Sequence, residues 1–372
     1  MKKFTSIALA AALAASTIAM AKEIKVGAVM PMSGPLAAYG QVTNLGLELA
    51  HKLQPTLKNG DTIKIVLLDN KGDKVETANA TTRLISSDKV VAILGALTST
   101  NTAQAIAIAD KKKIPVIASV ATNDKLTAKR TYANRVCFSD SFQGEVVANY
   151  AMSQGHKTAV VIVDQAQVYS LGLAKAFQKA FKKAGGEIVK KIKITSGDKD
   201  FKAVVSQIKK TNPDFMFLPL YHPEASMIAR QSKQLGLTKP MFSGDGVANQ
   251  TFIDLGGKSV EGYMFTDFFD YTNPPSKKSS DFVAFHEKET ANAELNSFTA
   301  LGADTYNVLI DAMNRCEDPT NSVCINKEIK NTNKFAGVSG TISIDKNGNA
   351  TRSAVIKSIM NGKAGYKATV NP

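Results

Sequence analysis

Short apolar segments alternate with longer amphipathic segments along almost the whole chain. Apolar runs predict buried strands, and apolar residues that recur at helical intervals predict helices. Continuous apolar strands separated by helices indicate a parallel sheet that is covered on both faces. In the first part of the chain the pattern predicts strands at 24–29, 63–69, 90–95, 115–118 and 135–138, and helices at 39–53, 74–88 and 100–111.

The same series starts again after Asp140 and Ser141, which have the form of a helix cap. We therefore predict an α/β fold with two doubly wound, parallel-sheet lobes. No linker rich in proline, serine or glycine separates the two series, so we expect several chain crossings and motion at a hinge. The second series has predicted helices at 142–154, 170–184, 201–211 and 223–235, and strands at 158–163, 187–194, 215–218, 241–243 and 263–266.

The C-terminal part is less regular. Asn347 and Gly348 form a strong hairpin signal, which we place between strands 341–344 and 354–359. Three further helices are predicted at 279–289, 299–315 and 325–332.

The N-terminus has the form of a secretory signal peptide. Lys2 and Lys3 precede an apolar run that ends in Ala19-Met20-Ala21, a small-residue cleavage pattern. We predict a signal peptide at 1–21, cleaved before Lys22, and an exported mature protein. A membrane anchor is the alternative, but the run is short for a span of about 20 residues. The residue directly after the cleavage point is Lys22 and not a cysteine, which argues against a lipoprotein.

The basic charge does not indicate nucleic-acid binding. The chain has a net charge of +14, and six of its 46 basic residues are arginines. Nucleic-acid readers depend on arginine forks and stacking aromatic residues, whereas lysines such as Lys175 and Lys179 lie on predicted helix faces. We interpret the lysines as a solvated surface, with attraction to an anionic membrane face as an alternative.

Three cysteines are present. Cys316 and Cys324 enclose seven residues rich in turn formers, so we predict a disulfide between them in an exported protein. Cys137 is then left over, and we expect it to be buried. No paired Cys and His spacing supports zinc.

Catalytic motifs are missing from the sequence. The segment ending in Gly257-Lys258-Ser259 lacks the first glycine of a P-loop, and the helix around His286 lacks the second histidine of a zinc protease. Neither a nucleophile elbow nor a dinucleotide fingerprint occurs. We expect neither an enzyme nor a cofactor.

The segment 92–102 carries the clearest binding signal. An apolar strand ends at Gly95, and Thr98, Ser99, Thr100 and Asn101 then open a helix. Free N–H groups at a helix N-terminus suit an anion. Plain capping by serine and threonine explains the same residues, so both interpretations remain open at this point.

Open α/β sheets bind ligands beyond the carboxyl ends of their strands. In the first lobe these places hold hydroxyl groups near Ser99 and Thr122, which suit a carboxylate. In the second lobe they hold Asp245 between two glycines, which suits an ammonium group. The pair predicts a zwitterionic ligand, although Asp245 can also be a turn residue. Tyr39, Tyr169 and Tyr221 either line the site or pack at an edge.

Four motifs in the same order resemble a known family: Met32-Ser33-Gly34-Pro35 with Tyr39-Gly40, Gly95-Ala96-Leu97-Thr98-Ser99, Tyr221-His222-Pro223-Glu224 and Gly246-Val247-Ala248-Asn249. The chain resembles the periplasmic leucine/isoleucine/valine-binding proteins, the type I solute-binding receptors of ABC-type branched-chain amino-acid uptake. The resemblance covers nearly the whole mature chain. It implies a periplasmic, monomeric receptor whose partners are an amino acid and an inner-membrane permease.

The resemblance also implies roles for individual residues. Ser99 and Thr122, with the backbone of Leu97 and Val120, bind the ligand carboxylate. Asp245 stands where the family usually has glutamate on the ammonium group, and Tyr169 covers the ligand. Thr98 replaces a cysteine that some relatives pair near the pocket. The other implied pocket residues are Tyr39, Tyr221 and Phe298.

Three crossovers are implied near Asp140, Asp267 and Val338. They divide the chain into a carboxylate lobe, 22–139 with 268–337, and an ammonium lobe, 140–267 with 338–372. The side chain of the ligand stays open, because one methylene changes the binding free energy by only ~1–3 kcal/mol. Alternatives are an amide, urea or aromatic-acid receptor of the same fold, and a receptor that serves a chemoreceptor.

Overall fold

The computed structural model describes residues 21–291 and 293–372. The predicted signal peptide, except for its last residue, lies outside the described residues. Two main sheets organise the described chain, and their strands succeed one another in two separate series. The predicted α/β architecture is therefore present, with helices packed on the faces of both sheets.

The first sheet has five strands, all parallel, in the order β2-β1-β3-β4-β5. A π-helical turn, Leu84–Asp88, extends the second helix to the end that the sequence predicts. The fifth strand lies slightly before its predicted position. The elements are β1 Glu23–Met30, α1 Ala37–Leu53, β2 Thr62–Asp69, α2 Lys74–Arg83, β3 Ile93–Gly95, α3 Ser99–Ala109, β4 Val116–Ala118 and β5 Ala133–Arg135.

The second sheet has seven strands in the order β15-β14-β10-β9-β8-β6-β7. Its strands from β6 to β10 are parallel, whereas β14 pairs antiparallel with both β10 and β15. Strands β11, β12 and β13 form a separate three-stranded sheet. The elements from α4 onward are α4 Asp140–Ser153, β6 Thr158–Asp164, α5 Val168–Lys183, β7 Glu187–Ile194, α6 Lys202–Thr211, β8 Phe215–Phe217, α7 His222–Gln234, β9 Met241–Ser243, α8 Gln250–Gly256, β10 Met264–Asp267, α9 Lys277–Thr290, α10 Ser297–Met313, α11 Ser322–Lys330, β11 Phe335–Ala336, β12 Thr341–Ile344, β13 Ala350–Thr351, β14 Ala354–Met360 and β15 Lys363–Val370.

The prediction of a C-terminal hairpin is wrong about one of its two strands. The turn at 345–348 joins β12 to the two-residue strand β13, not to β14. Instead, β14 inserts between β10 and β15. A strand that is buried over nearly its whole length needs a neighbour on each side, and the large sheet provides both.

Three segments of chain connect the two sheets, near the three predicted crossovers. The side chain of Arg352 is buried where these segments meet. Its guanidinium donates to the carbonyl oxygens of Val136 (3.4 Å), Phe268 (2.8 Å) and Ser339 (2.9 Å). Asp304 of α10 accepts from the backbone N–H of Ser339 (2.9 Å). One arginine thus binds all three connections.

The helices after the second connection return to the first sheet. α10 packs along α1 and also contacts β4 and α11. None of the helices in the described part of the chain combines the length and apolar character that crossing a bilayer requires. The described residues also bring no three His, Cys, Asp or Glu side chains together as a metal site.

Candidate ligand-binding site

A small cavity lies between the two sheets, beyond the carboxyl ends of their strands. Nine of the ten ligand-binding residues predicted from the sequence line it, and Thr122 does not. Elements of both sheets therefore contribute to one site, as the topology of open α/β sheets predicts. The lining residues are Tyr39, Leu97, Thr98, Ser99, Val120, Tyr169, Tyr221, Asp245, Gly246 and Phe298.

The turn from β3 to α3 both caps a helix and lines the cavity. Thr98 is the N-cap residue, and its hydroxyl accepts from the N–H of Asn101 at 3.3 Å. Ser99 begins the helix, is 1% exposed and lines the cavity. The turn requires Gly95, which has φ +118°, and a Cβ there would lie 2.1 Å from the carbonyl oxygen of Val29. Thr98 thus caps the helix and also lines the cavity, beside Ser99.

Thr122 and Asn123 lie behind the lining residue Val120. The carbonyl oxygen of Thr122 accepts from the Arg135 guanidinium (2.6 Å) and from the N–H of Asp140 (2.8 Å). The N–H of Asn123 donates to the hydroxyl of Ser99 (3.3 Å). The segment after β4 is therefore fixed to the helix start that presents Ser99.

The carboxyl group of Asp245 is the acidic group of the cavity, and the residue is 4% exposed. The side-chain amide of Gln143 donates to its Oδ1 at 2.9 Å, and Gln143 Oε1 accepts from the N–H of Asp245 at 3.3 Å. At Gly246 a Cβ would lie 2.5 Å from the carbonyl oxygen of Leu220. The glycine therefore allows the close backbone approach that positions Asp245.

Burial governs the protonation of this acid and of its neighbour. Desolvation raises the pKa of Asp245 to about 7, although the hydrogen bond from Gln143 opposes the shift. Desolvation likewise raises the pKa of Asp140 to about 8, and the charge of Asp245 adds to this. A cation beside Asp245 would stabilise its ionised form and lower its pKa again. The acid is thus suited to a positively charged ligand group.

Aromatic rings form much of the remaining wall. Tyr169 and Tyr221 stack with their ring centroids 5.1 Å apart. Tyr39 lies 5.3 Å from Phe298 and 5.9 Å from Tyr221, again between centroids. Leu97 and Val120 add aliphatic surface. An apolar group of a ligand would be enclosed by these side chains, while polar groups meet Ser99 and Asp245.

The two sides of the cavity also contact each other directly. The hydroxyl of Tyr39 donates to the carbonyl oxygen of Gly246 (2.5 Å) and accepts from the N–H of His222 (3.0 Å). The backbone of Val168, at the start of α5, donates to the hydroxyl of Thr100 (3.1 Å) and accepts from the amide of Asn123 (2.9 Å). The structure therefore has the closed arrangement of the two sheets.

Sequence reasoning missed Gln143 and Asn123. Gln143 lies 102 positions before Asp245, and only the packing of α4 against β10 brings the two together. The predicted helix cap at Asp140 and Ser141 indicated the helix that carries Gln143. In the structure Ser139 is the N-cap residue, and the helix starts at Asp140. The amide of Asn123 donates to Asp140 (3.1 Å), which in turn accepts from Gln143 (3.2 Å).

The predicted disulfide between Cys316 and Cys324 is present. It joins the end of α10 to α11, about 25 Å along the helix axis from Phe298 in the first turn. Cys137 is free and buried, and desolvation raises its pKa to about 12. The disulfide therefore stabilises the helical region and takes no part in the cavity.

A receptor of two α/β halves that close on a small molecule is the class that this fold and site define. The family model for periplasmic binding proteins matches residues 23–363. The chain belongs to this family.

Individual relatives agree with the family assignment. The Leu/Ile/Val-binding protein of Escherichia coli (strain K12) is 32% identical over 343 residues, 91% of this chain and 90% of that protein. The solved structure of the leucine binding protein LivK from Thermotoga maritima superimposes with a TM-score of 0.91. Its sequence is 36% identical, and the match covers 94% of this chain and 99% of that one. LivJ from Streptococcus pneumoniae, solved in complex with isoleucine, is 32% identical and has a TM-score of 0.88. The match covers 94% of this chain and 100% of that one. The predicted type I fold is confirmed.

Proposed function

We propose that this protein is the periplasmic receptor of an ABC transporter and that it captures a branched-chain L-amino acid by closure of its two lobes. The observation that carries the proposal is the single cavity that joins Ser99 and a helix start to a buried carboxyl group, Asp245. Hydroxyl and N–H groups suit the carboxylate of an amino acid, and Asp245 suits its ammonium group.

The chemistry of the wall supports an aliphatic side chain on that ligand. Leu97, Val120 and the aromatic rings leave an apolar surface between the two polar ends. Curated relatives carry names such as Leu/Ile/Val-binding protein, and LivJ from Streptococcus pneumoniae was solved with isoleucine. Capture of the ligand makes or breaks no covalent bond, so the protein acts as a receptor and not as an enzyme.

We propose the lobe boundaries that the sequence suggests. The carboxylate lobe comprises 22–139 and 268–337, and the ammonium lobe comprises 140–267 and 338–372. Membership of the two sheets and the packing of α10 on α1 support this division. Closure buries the ligand against fixed dipoles, and the closed form is the one presented to the permease by a shift of population.

Titration calorimetry on the ligand-stripped mature chain, from Lys22 onward, tests the proposal. The panel contains L-leucine, L-isoleucine, L-valine and D-leucine, with acetamide, urea and benzoate for the alternative receptors. We expect binding of the three branched L-amino acids and none of D-leucine, because the carboxylate and ammonium sites fix the hand of the ligand. Binding of benzoate or an amide in their place would overturn the ligand class and keep the fold.

A further inference from the structure

The outer side of the ammonium lobe carries a dense cluster of lysines. Two helices, α5 and α6, pack on opposite faces of the seven-stranded sheet and flank β7, its edge strand. All eleven lysines of the segment 175–210 are exposed. We call this surface the lysine face, and it consists of Lys175, Lys179, Lys182, Lys183, Lys190, Lys191, Lys193, Lys199, Lys202, Lys209 and Lys210.

The lysine face is unusual within this protein because its charge is unbalanced. The segment 175–210 has three acids, Glu187, Asp198 and Asp200, against the eleven lysines. The rest of the proposed ammonium lobe has ten basic residues and ten acids. The positive excess of that lobe therefore lies in the segment that surrounds the edge strand β7, where Glu145 of α4 lines a groove with Lys179 and Lys183. Among the described residues, none of these eleven lysines forms an ion pair with a carboxylate.

Protection of an edge strand explains only part of this cluster. Lysines on β7 block pairing with another strand, which is a common use of charge at a sheet edge. The lysines of α5 and α6 lie on helices, where no free strand edge needs protection. The cluster also extends over two helices and a strand, so its extent matches a broad charged surface better than a small anion.

The composition of the lysine face favours electrostatic contact without insertion. It contains no arginine, and lysine acts as a hydrated point charge where arginine forms bidentate forks. The exposed large apolar residues of the described chain, such as Leu171 and Leu255, all lie outside 175–210. A partner with diffuse negative charge and no need for apolar anchoring therefore fits this surface.

The position of the lysine face leaves the cavity accessible. Tyr169 lines the cavity in the first turn of α5, and the lysines follow from Lys175 to Lys183. At 1.5 Å per residue they lie about 9–21 Å further along the helix. Contact through this face would hold the receptor on its side, with the opening between the lobes free.

We propose that the lysine face adsorbs the receptor reversibly to the anionic phospholipid surface of the membrane that contains its transporter. Each lysine near an anionic bilayer adds to the attraction, and salt screens it within about 10 Å at 0.1 M. Adsorption confines the search for the permease to a surface. This proposal rests on the proposed role as the receptor of a transporter and not on the identity of the bound ligand.

Co-sedimentation of the mature chain with vesicles tests the proposal. The vesicles are phosphatidylcholine alone or phosphatidylcholine with phosphatidylglycerol, each at low and high salt. The first variant carries K175E, K182E, K191E and K202E within the lysine face. The matched control carries K58E, K74E, K112E and K327E, four exposed lysines outside it, and has the same net charge. Circular dichroism and thermal melting verify that each variant is folded.

We expect the wild type and the control to bind phosphatidylglycerol vesicles at low salt and to dissociate at high salt. The affinity of the face variant for these vesicles should be lower by about tenfold or more. Equal loss in both variants would show a merely solvated basic surface and overturn the proposal. Absence of wild-type binding to anionic vesicles would overturn it too. If the face variant fails to fold, glutamine at the same two sets of four positions gives the same comparison.

Discussion

The two sides of the cavity offer different kinds of polar group to a charged ligand. The five-stranded side offers Ser99, the start of α3 and backbone groups, none of which changes its charge near neutral pH. The seven-stranded side offers Asp245, whose pKa is raised to about 7 by burial. One side therefore uses fixed dipoles, and the other uses an ionisable group whose charge depends on its surroundings.

Construction of the two sides explains this difference. The first is a strand-to-helix turn, in which Thr98 satisfies one N–H group and leaves the helix start facing the cavity. The second is a buried network in which Asp245, Gln143 and Asp140 share hydrogen bonds. Hydroxyl and N–H groups carry no net charge, so burial imposes no charge-desolvation penalty on them. The ionised form of a buried acid, in contrast, is stable only when a cation balances its charge.

The largest expected effect is that of Asp245→Asn. Removal of one partner from a buried, hydrogen-bonded charge pair costs about 3 kcal/mol, which is about 100-fold in affinity for L-leucine. Calorimetry measures the loss. The control is Asp245→Glu, which retains the charge and should retain most of the binding. Equal affinity of wild type and the asparagine variant would remove Asp245 from the ammonium site.

The second effect is a dependence on pH that only one side of the cavity should cause. Without an ammonium group the pKa of Asp245 is about 7, and a bound ammonium group lowers it. Binding therefore requires loss of a proton below about pH 7, so affinity falls as pH falls, by up to about tenfold per pH unit. Calorimetry in buffers of different ionisation enthalpy would detect proton release. An unchanged affinity between about pH 5 and 8 would contradict this.

Gln143→Leu should lower affinity about tenfold and also shift the pH dependence. Gln143 positions Asp245 and favours its ionised form through the 2.9 Å hydrogen bond. Its loss should raise the pKa of Asp245 further, so the midpoint of the affinity profile moves to higher pH. A purely structural role would lower affinity without moving the midpoint. Gln207→Leu, on the exposed side of α6, is the control.

The smallest expected effect is that of Ser99→Ala. A neutral hydrogen bond contributes about 1 kcal/mol, so affinity should fall about fivefold. The loss should be the same at every pH, because no titrating group is removed. The exposed Ser87→Ala is the matched control. A loss that grows as pH falls would mean that Ser99 acts through Asp245 and that the two sides are not separate.

Local sequence patterns predicted most of the fold and the cavity lining. Five lining residues follow the carboxyl ends of predicted strands. Periodicity alone therefore places each of them at the binding edge of its own sheet. They are Tyr39, Ser99, Val120, Tyr169 and Tyr221. Family resemblance then added the functional roles. These predictions depend on short stretches of chain, where neighbours in sequence are neighbours in space.

The same patterns could not predict contacts between residues that lie far apart in the sequence. Gln143 reaches Asp245 only through tertiary packing, and nothing in the sequence near either residue indicates it. Strand β14 contains Lys357, which breaks its apolar run. In the fold Lys357 is buried against Asp267 (2.9 Å) and Asp270 (3.3 Å), so the charge is balanced by residues almost ninety positions away. The hairpin assignment failed for the same reason.

The buried Arg352 has a consequence for the mechanics of closure. Three chain connections attached to one guanidinium cannot bend independently, so the relative motion of the lobes approaches rotation about a single axis. A motion with few degrees of freedom loses little conformational entropy when it stops. More of the free energy of ligand contact then remains available as affinity.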